Sequence, residues 1–169
     1  MEETINFSVD PPIATLTIHN PGKRNAVNPP MAGEAIDAIE SIEDRSDIRV
    51  LIVTGSGDKA FSAGFDITYY SDERPESADD EDAPSFSDFS NKVKYFDYPT
   101  IGKINGGTYG GAMHLAASCD LRIAASDAEF GITPARIGRV YSGEAIYEIM
   151  AEIGPANVKE FLFTANFID

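Results

Sequence analysis

From Ile13 to Ile18 the chain alternates: Ile13, Thr15 and Thr17 on one set of positions, Ala14, Leu16 and Ile18 on the other, ending at Asn20-Pro21-Gly22. A period of two in β-favouring residues, closed by a turn signal, predicts a strand. Over residues 31–42 the period changes: Met31, Ala35, Ile36, Ile39 and Ile42 recur at helical spacing among acidic residues, which predicts a surface helix. Residues 49–54 are nearly continuously apolar and stop at Gly55-Ser56-Gly57, the pattern of a strand covered on both faces. The opening unit is thus strand, helix, strand. Residues 68–90 break the periodicity with Ser, Asp, Glu and Pro and predict a long acidic surface loop, with a helix beginning near Ser85. Beyond it, residues 99–105 predict a strand running into Gly106-Gly107, and 110–118 a helix of small residues. Residues 120–125 and 129–132 predict short strands, and 143–153 and 155–165 two closing helices, the second with Pro155 in its first turn. Strands alternating with helices predict an α/β architecture, and no internal sequence repeat is visible.

Composition narrows the function classes. The 169 residues suit a single domain, 1–169, with a packed core. Against 13 Lys and Arg stand 28 Asp and Glu, a net charge of −15, which argues against general nucleic-acid binding and against an anionic membrane surface, both of which need clustered cations. A dense acidic surface suits high salt, where screening relieves its self-repulsion, so a halophilic cytoplasm is the expected setting. The lone Cys119 excludes an internal disulfide and favours an intracellular location; the Met1-Glu2-Glu3 start lacks the basic character of a signal peptide.

Most familiar chemistry is missing. Gly55-Ser56-Gly57-Asp58-Lys59-Ala60 matches the spacing of a dinucleotide fingerprint, but the Gly- and Phe-containing residues that follow are unsuited to the required helix, so a strand-end turn is the better reading. No phosphate-binding P-loop motif and no nucleophile elbow occurs. The two histidines, His19 and His114, have no metal-ligand spacing around them, and no metal site is expected. Cys119 lies five residues after His114, on a different helix face, and reads as a small buried apolar residue. Two segments stand out: Phe61-Ser62-Ala63-Gly64-Phe65-Asp66-Ile67, and residues 105–114, Asn-Gly-Gly-Thr-Tyr-Gly-Gly-Ala-Met-His. Both put glycines at a strand end, where backbone N–H groups can approach a ligand closely, and Gly110-Gly111 also opens a helix, which favours negative charge there. The alternative is that the glycines only permit close helix-on-strand packing.

Together with Lys23-Arg24-Asn25-Ala26-Val27-Asn28, Asp120-Leu121-Arg122-Ile123-Ala124 and residues 130–138, these segments resemble, in order and separation, the crotonase (enoyl-CoA hydratase/isomerase) superfamily across essentially the whole chain. The resemblance implies a crotonase-type spiral of ββα units, an acyl-CoA substrate, no cofactor beyond the coenzyme A of that substrate, and a homotrimer or dimer of trimers. It implies further that family chains continue past the Ile168 region into a helical segment that closes the acyl pocket. By position, the backbone N–H groups of Phe65 and Gly111 become oxyanion-hole donors, with Gly64 and Gly110 beside them. Arg24 and Ala26 would lie along the CoA nucleotide, with Ala63, Asp66 and Ile67 on the adenine and pantetheine path.

The departures bear on the reaction. The resemblance implies glutamates at the positions of His114 and Pro134 in a hydratase, and neither is present. Water addition needs a base and an acid, and here His114 would serve both roles. The 132–141 and 158–165 segments look most like the methylmalonyl-CoA decarboxylase branch, in which Tyr141 would bond the departing carboxylate or the water beside it; loss of CO₂ yields an enolate with no base at the α-carbon. Decarboxylation of a malonyl-type CoA ester is therefore the preferred expectation. Hydration or isomerisation through His114 and a non-catalytic acyl-CoA-binding role are the alternatives.

Overall fold

A computed structural model describes residues 3–70 and 82–169. Residues 71–81, the most acidic part of the predicted 68–90 loop, lie outside the described residues. Strands β1 (Thr4–Asp10), β2 (Ile13–His19), β3 (Val50–Gly55), β5 (Thr100–Ile104) and β7 (Leu121–Ala124) form one sheet in the order β1-β2-β3-β5-β7. The shorter β4 (Ala60–Ser62), β6 (Gly107–Tyr109) and β8 (Phe130–Gly131) form a second sheet in the order β4-β6-β8. From β2 onward every neighbouring pair is parallel. Three successive strand pairs, β3–β4, β5–β6 and β7–β8, thus each give their first member to the large sheet and their second to the small one. That is a spiral, and it generates a structural repeat that the sequence does not display.

The helices are α1 (Pro29–Glu43), α2 (Phe86–Lys94), α3 (Gly111–Ser118) and α4 (Gly143–Thr164). Each starts where the local chemistry directs. Asn28 caps α1 by accepting from Met31 N, with prolines in the first turn where their missing N–H groups are harmless. Ser85 and Asp88 form a reciprocal capping box at α2, consistent with the helix predicted near Ser85. The two predicted closing helices are the halves of α4, broken at Gly154, which has φ 80° and ψ 160°, just before Pro155.

The opening unit differs from expectation. An additional strand, β1, precedes β2 and pairs with it antiparallel, from Thr4 opposite His19 to Asp10 opposite Ile13. Its Ile5, Phe7 and Val9 alternate with polar residues and pack on the main core.

That core lies between one face of the large sheet and helices α1, α2 and α3. Ala14, Leu16 and Ile18 of β2, Leu51 and Val53 of β3, Ile39 and Ile42 of α1, Phe89 of α2 and Leu115 of α3 are all fully or nearly fully buried in it. A second cluster, Met113, Ile132, Ile149, Val158 and Phe161, seats α4. Arg122 joins the layers by donating to the carbonyls of Ala116 and Cys119 at the α3 C-terminus and pairing with Glu152 of α4. The Asp120-Leu121-Arg122 motif is therefore absorbed by the fold, with Asp120 also accepting from Thr100 N and Oγ1. Among the described residues no helix is long and apolar enough to cross a membrane.

Candidate active site

The 23–28 segment acts first as scaffold. Ala63 N donates to Arg24 O, Val27 N to Gly64 O and Asp66 N to Val27 O, so this stretch holds the 63–66 turn as a one-sided ladder. Asn25, 2% exposed and at φ 57°, anchors the segment from inside: its Nδ2 donates to Ser56 O and Ala60 O, and its Oδ1 accepts from Asn20 N. Gly55, the first glycine of the apparent dinucleotide motif, lies where a Cβ would fall 2.2 Å from Phe61 O. The chain then enters β4 and no helix, so this is a packed strand-end turn.

The 63–66 turn meets the start of α3. Gly64 has φ +83°, and a Cβ there would stand 2.5 Å from Gly111 N and 2.9 Å from Tyr109 O. A Cβ on Gly111 would lie 3.4 Å from Phe65 N and 3.2 Å from the Phe86 ring. Only a glycine at 64 lets these backbones approach so closely. As a result the amides of Phe65 and Gly111 stand side by side, and Gly111 is the first residue of α3, where the leading N–H groups have no partner within the helix. Gly110 is held from both sides, its N donating to Gly131 O and its O accepting from the Tyr141 hydroxyl at 2.8 Å.

A cavity of about 330 Å³ opens at this junction. That is at the small end of the range of roughly 300–1,000 Å³ for ligand pockets. Of the residues singled out from sequence, Ala63, Phe65, Ile67, Gly110, Gly111, His114, Pro134 and Tyr141 line it. Arg24, Ala26, Gly64 and Asp66 do not. Asp66 is the clearest departure. Its carboxylate is buried, accepting from Lys23 Nζ at 2.7 Å and from Thr68 N and Oγ1, so it ties the turn to the 23–28 segment instead of facing a ligand. Burial pushes this carboxyl up, but the Lys23 and Thr68 hydrogen bonds outweigh it and hold it below the usual carboxylate range.

Tyr141 also differs from its expected role. Its hydroxyl hydrogen is directed at Gly110 O, which leaves it no donor for a departing carboxylate. Burial pushes the hydroxyl far above the ordinary tyrosine range, only partly offset by the His114 backbone N–H, so it stays neutral.

His114 is 2% exposed and reaches the cavity wall from α3. Its Nε2 lies 2.8 Å from Glu148 Oε2 on α4, and Lys94 Nζ of α2 lies 2.5 Å from the other Glu148 oxygen. The sequence reading did not find Glu148. With Glu144 and Glu152 it forms a four-residue acidic spacing that looks like a solvated stripe; the one hint was its place three residues after Ala145 and one before Ile149, both buried. Phe86 and Arg139, also on the cavity wall, were missed as well. Cys119 is buried with its thiol pushed up to about 12, chiefly by burial, as a small apolar residue should be. Among the described residues no group of three or more His, Cys, Asp or Glu could hold a metal ion.

The chain is similar to known proteins over its whole length. The family described as enoyl-CoA hydratase/isomerase matches residues 9–169. The crotonyl-CoA hydratase of Syntrophomonas wolfei is 33% identical over 171 residues, covering 99% of this chain and 64% of its own. A carnitinyl-CoA dehydratase of Citrobacter koseri is 30% identical, covering 100% of this chain and 64% of its own. The crystal structure of an enoyl-CoA hydratase/carnithine racemase from Magnetospirillum magneticum has a TM-score of 0.87 at 29% identity, over 100% of this chain and 64% of that one. The chain thus spans 64% of the length of these relatives. Their match runs through both sheets and through the two glycine segments whose amides meet at the cavity, and on that ground the chain belongs to the enoyl-CoA hydratase/isomerase family.

Proposed function

We propose that this chain carries the enolate-stabilising core of an acyl-CoA enzyme, with the thioester oxygen bound by the Phe65 and Gly111 amides and a proton moved by His114, as in hydration or isomerisation of a 2-enoyl-CoA. The observation that carries this reading is the presence on one small cavity of two adjacent backbone amides and a buried, carboxylate-paired histidine. Removing a proton next to a thioester, or adding water across its conjugated double bond, places negative charge on the thioester oxygen. A preorganised donor there is typically worth about 2.7–4 kcal/mol in the transition state. General acid–base catalysis by a positioned histidine contributes typically about 10²–10⁴-fold. The names of the relatives, a crotonyl-CoA hydratase, a carnitinyl-CoA dehydratase and a short-chain-enoyl-CoA hydratase of Clostridium acetobutylicum, support proton-transfer chemistry more than decarboxylation.

Decarboxylation of a malonyl-type CoA ester is the second reading. Pro134 favours it, because a wall residue with no proton to give or take stands where a hydratase would need a second acid or base. Tyr141 weighs against it, since its hydroxyl hydrogen is already directed at Gly110 O.

The test is turnover of crotonyl-CoA and of methylmalonyl-CoA by wild type, His114→Ala and Tyr141→Phe, together with exchange of the α-protons of butyryl-CoA in D₂O. Crotonyl-CoA hydration or α-proton exchange that collapses in His114→Ala supports proton transfer. Loss of CO₂ from methylmalonyl-CoA that survives His114→Ala supports the second reading. Tight acyl-CoA binding with no reaction of any kind overturns both in favour of a binding role.

A further inference from the structure

His114 has only two ring nitrogens with which to act, and its surroundings decide between them. Nε2 faces Glu148 Oε2 at 2.8 Å, and the second Glu148 oxygen is occupied by the Lys94 ammonium at 2.5 Å. The three side chains come from three helices, α3, α4 and α2, and their exposure rises in order: 3% for the His114 side chain, 10% for Glu148 and 35% for Lys94. Burial pushes Glu148 towards its neutral form, but the hydrogen bonds from Lys94 and His114 outweigh it and hold the carboxyl below its usual range. An ionised carboxylate only accepts hydrogen bonds. The hydrogen between the two groups therefore belongs to His114 Nε2, and in the neutral ring the lone pair is on Nδ1. We infer that Glu148, held in place by Lys94, is a positioning residue that fixes His114 in its Nε2–H form and so presents Nδ1 as the nitrogen that takes the substrate's proton.

This inference rests on the reading of His114 as the proton-transfer group, and it goes further by naming the atom and the residues that prepare it. It also accounts for a single histidine working where the cavity wall, among the described residues, carries no carboxylate and no second histidine. Once Nδ1 takes a proton, the imidazolium sits against an anion that needs no rearrangement to stabilise it. In isomerisation the proton leaves a substrate carbon and its electron pair enters the enolate; in hydration it leaves water, whose oxygen bonds the β-carbon as the double-bond pair moves to the thioester oxygen; in both, Nδ1–H returns the proton to carbon in the second half of the reaction. A merely structural role is the competing account: Glu148 would only tie the three helices together, and the ring tautomer would be indifferent to it.

The tautomer can be read without any turnover. The chain has two histidines, so His19→Gln leaves His114 as the single imidazole in a ¹⁵N spectrum. The expected wild-type signature of the neutral ring is a protonated Nε2 and an unprotonated Nδ1. In Glu148→Ala the two tautomers should mix, kcat for the reaction identified above should fall about 10–100-fold, and KM should stay within about twofold. In Glu148→Gln the Lys94 ammonium, which only donates, claims the amide oxygen and turns the amide NH₂ towards Nε2, so the ring should switch to its Nδ1–H form and kcat should fall at least as far as in Glu148→Ala. An Nδ1–H signature in wild type, or an unchanged tautomer in Glu148→Ala, overturns the inference whatever the activity. The Nε2–H signature with no reaction of any acyl-CoA overturns the proposed function and leaves the positioning in place. The wild-type spectrum carries the test alone should Glu148→Ala fail to fold.

Discussion

Replacing Gly64 by alanine tests the heart of the site, because that residue decides whether the two amides can stand side by side. Two costs arise and can be separated. The first is backbone strain: at φ +83° a residue with a Cβ costs roughly 1–2 kcal/mol relative to glycine. The second is a collision. The new methyl would lie 2.5 Å from Gly111 N, against the ~3.0 Å below which real contacts essentially do not occur, and it would also lie 2.9 Å from Gly111 Cα and from Tyr109 O. All three are backbone atoms that cannot rotate away. The 63–66 turn and the start of α3 must separate by about 0.5 Å, which shifts the Phe65 and Gly111 amides out of their shared alignment. Misplacements of this order cost about 10²-fold, and losing one donor outright costs about 10²–10³-fold in kcat. Gly57→Ala is the matched control: its φ is +75° and nothing lies within 4 Å of the added methyl, so it carries the strain without the collision. Thermal unfolding and α-proton exchange of butyryl-CoA are measured on both variants. The expectation is a comparable strain cost in both, a further loss of stability in Gly64→Ala, and a 10²-fold or greater loss of exchange in Gly64→Ala alone. Exchange in Gly64→Ala within threefold of Gly57→Ala would refute the reasoning, because the close approach would then be irrelevant to the chemistry.

Other perturbations probe the surroundings. Tyr141→Phe should destabilise the fold by about 1 kcal/mol through the lost hydrogen bond to Gly110 O and reduce crotonyl-CoA hydration less than tenfold; a 10³-fold loss at unchanged stability would mean that the hydroxyl touches substrate. Asp66 is depressed in the folded state, so its stabilisation is present above the unfolded value near 3.9 and is lost as pH falls through the folded value. The stability gap between wild type and Asp66→Asn, measured by denaturant titration, should therefore be widest near neutral pH and close below about pH 4; a gap that persists undiminished at pH 3 contradicts this. Cys119, buried and with its thiol pushed up to about 12, should resist a thiol reagent in the native protein and react fully in denaturant; rapid native labelling would disprove its burial. At −15 net charge, raising KCl from dilute buffer towards 1 M, where the Debye length is roughly 3 Å, should raise the unfolding temperature and strengthen binding of an anionic CoA ester; affinity that falls steadily with salt would count against adaptation to high salt.

Local pattern carried the elements and the parts of the site built from backbone. The alternation in 13–18, the helical spacing in 31–42 and the Ser85 signal correspond to β2, α1 and α2, because periodicity and capping are decided by neighbours within a few residues. The two glycine segments were visible as strand-end turns for the same reason. What no local pattern contained was which groups would meet. Gly64 and Gly111 follow β4 and β6 on separate turns of the spiral and become neighbours only when those two strands pair in the small sheet. Asp66 sits in the same turn as Phe65 yet points the other way, into Lys23, because the ladder with Val27 sets the direction of each successive residue. Glu148 is one of 28 acidic residues, and only the packing of α4 across α3 and α2 buries it between His114 and Lys94. Helices, strands and turns follow from short-range sterics and solvation, which are written along the chain. The pairing of a histidine with a carboxylate 34 positions away depends on how the layers close, and that was decided by the tertiary structure alone.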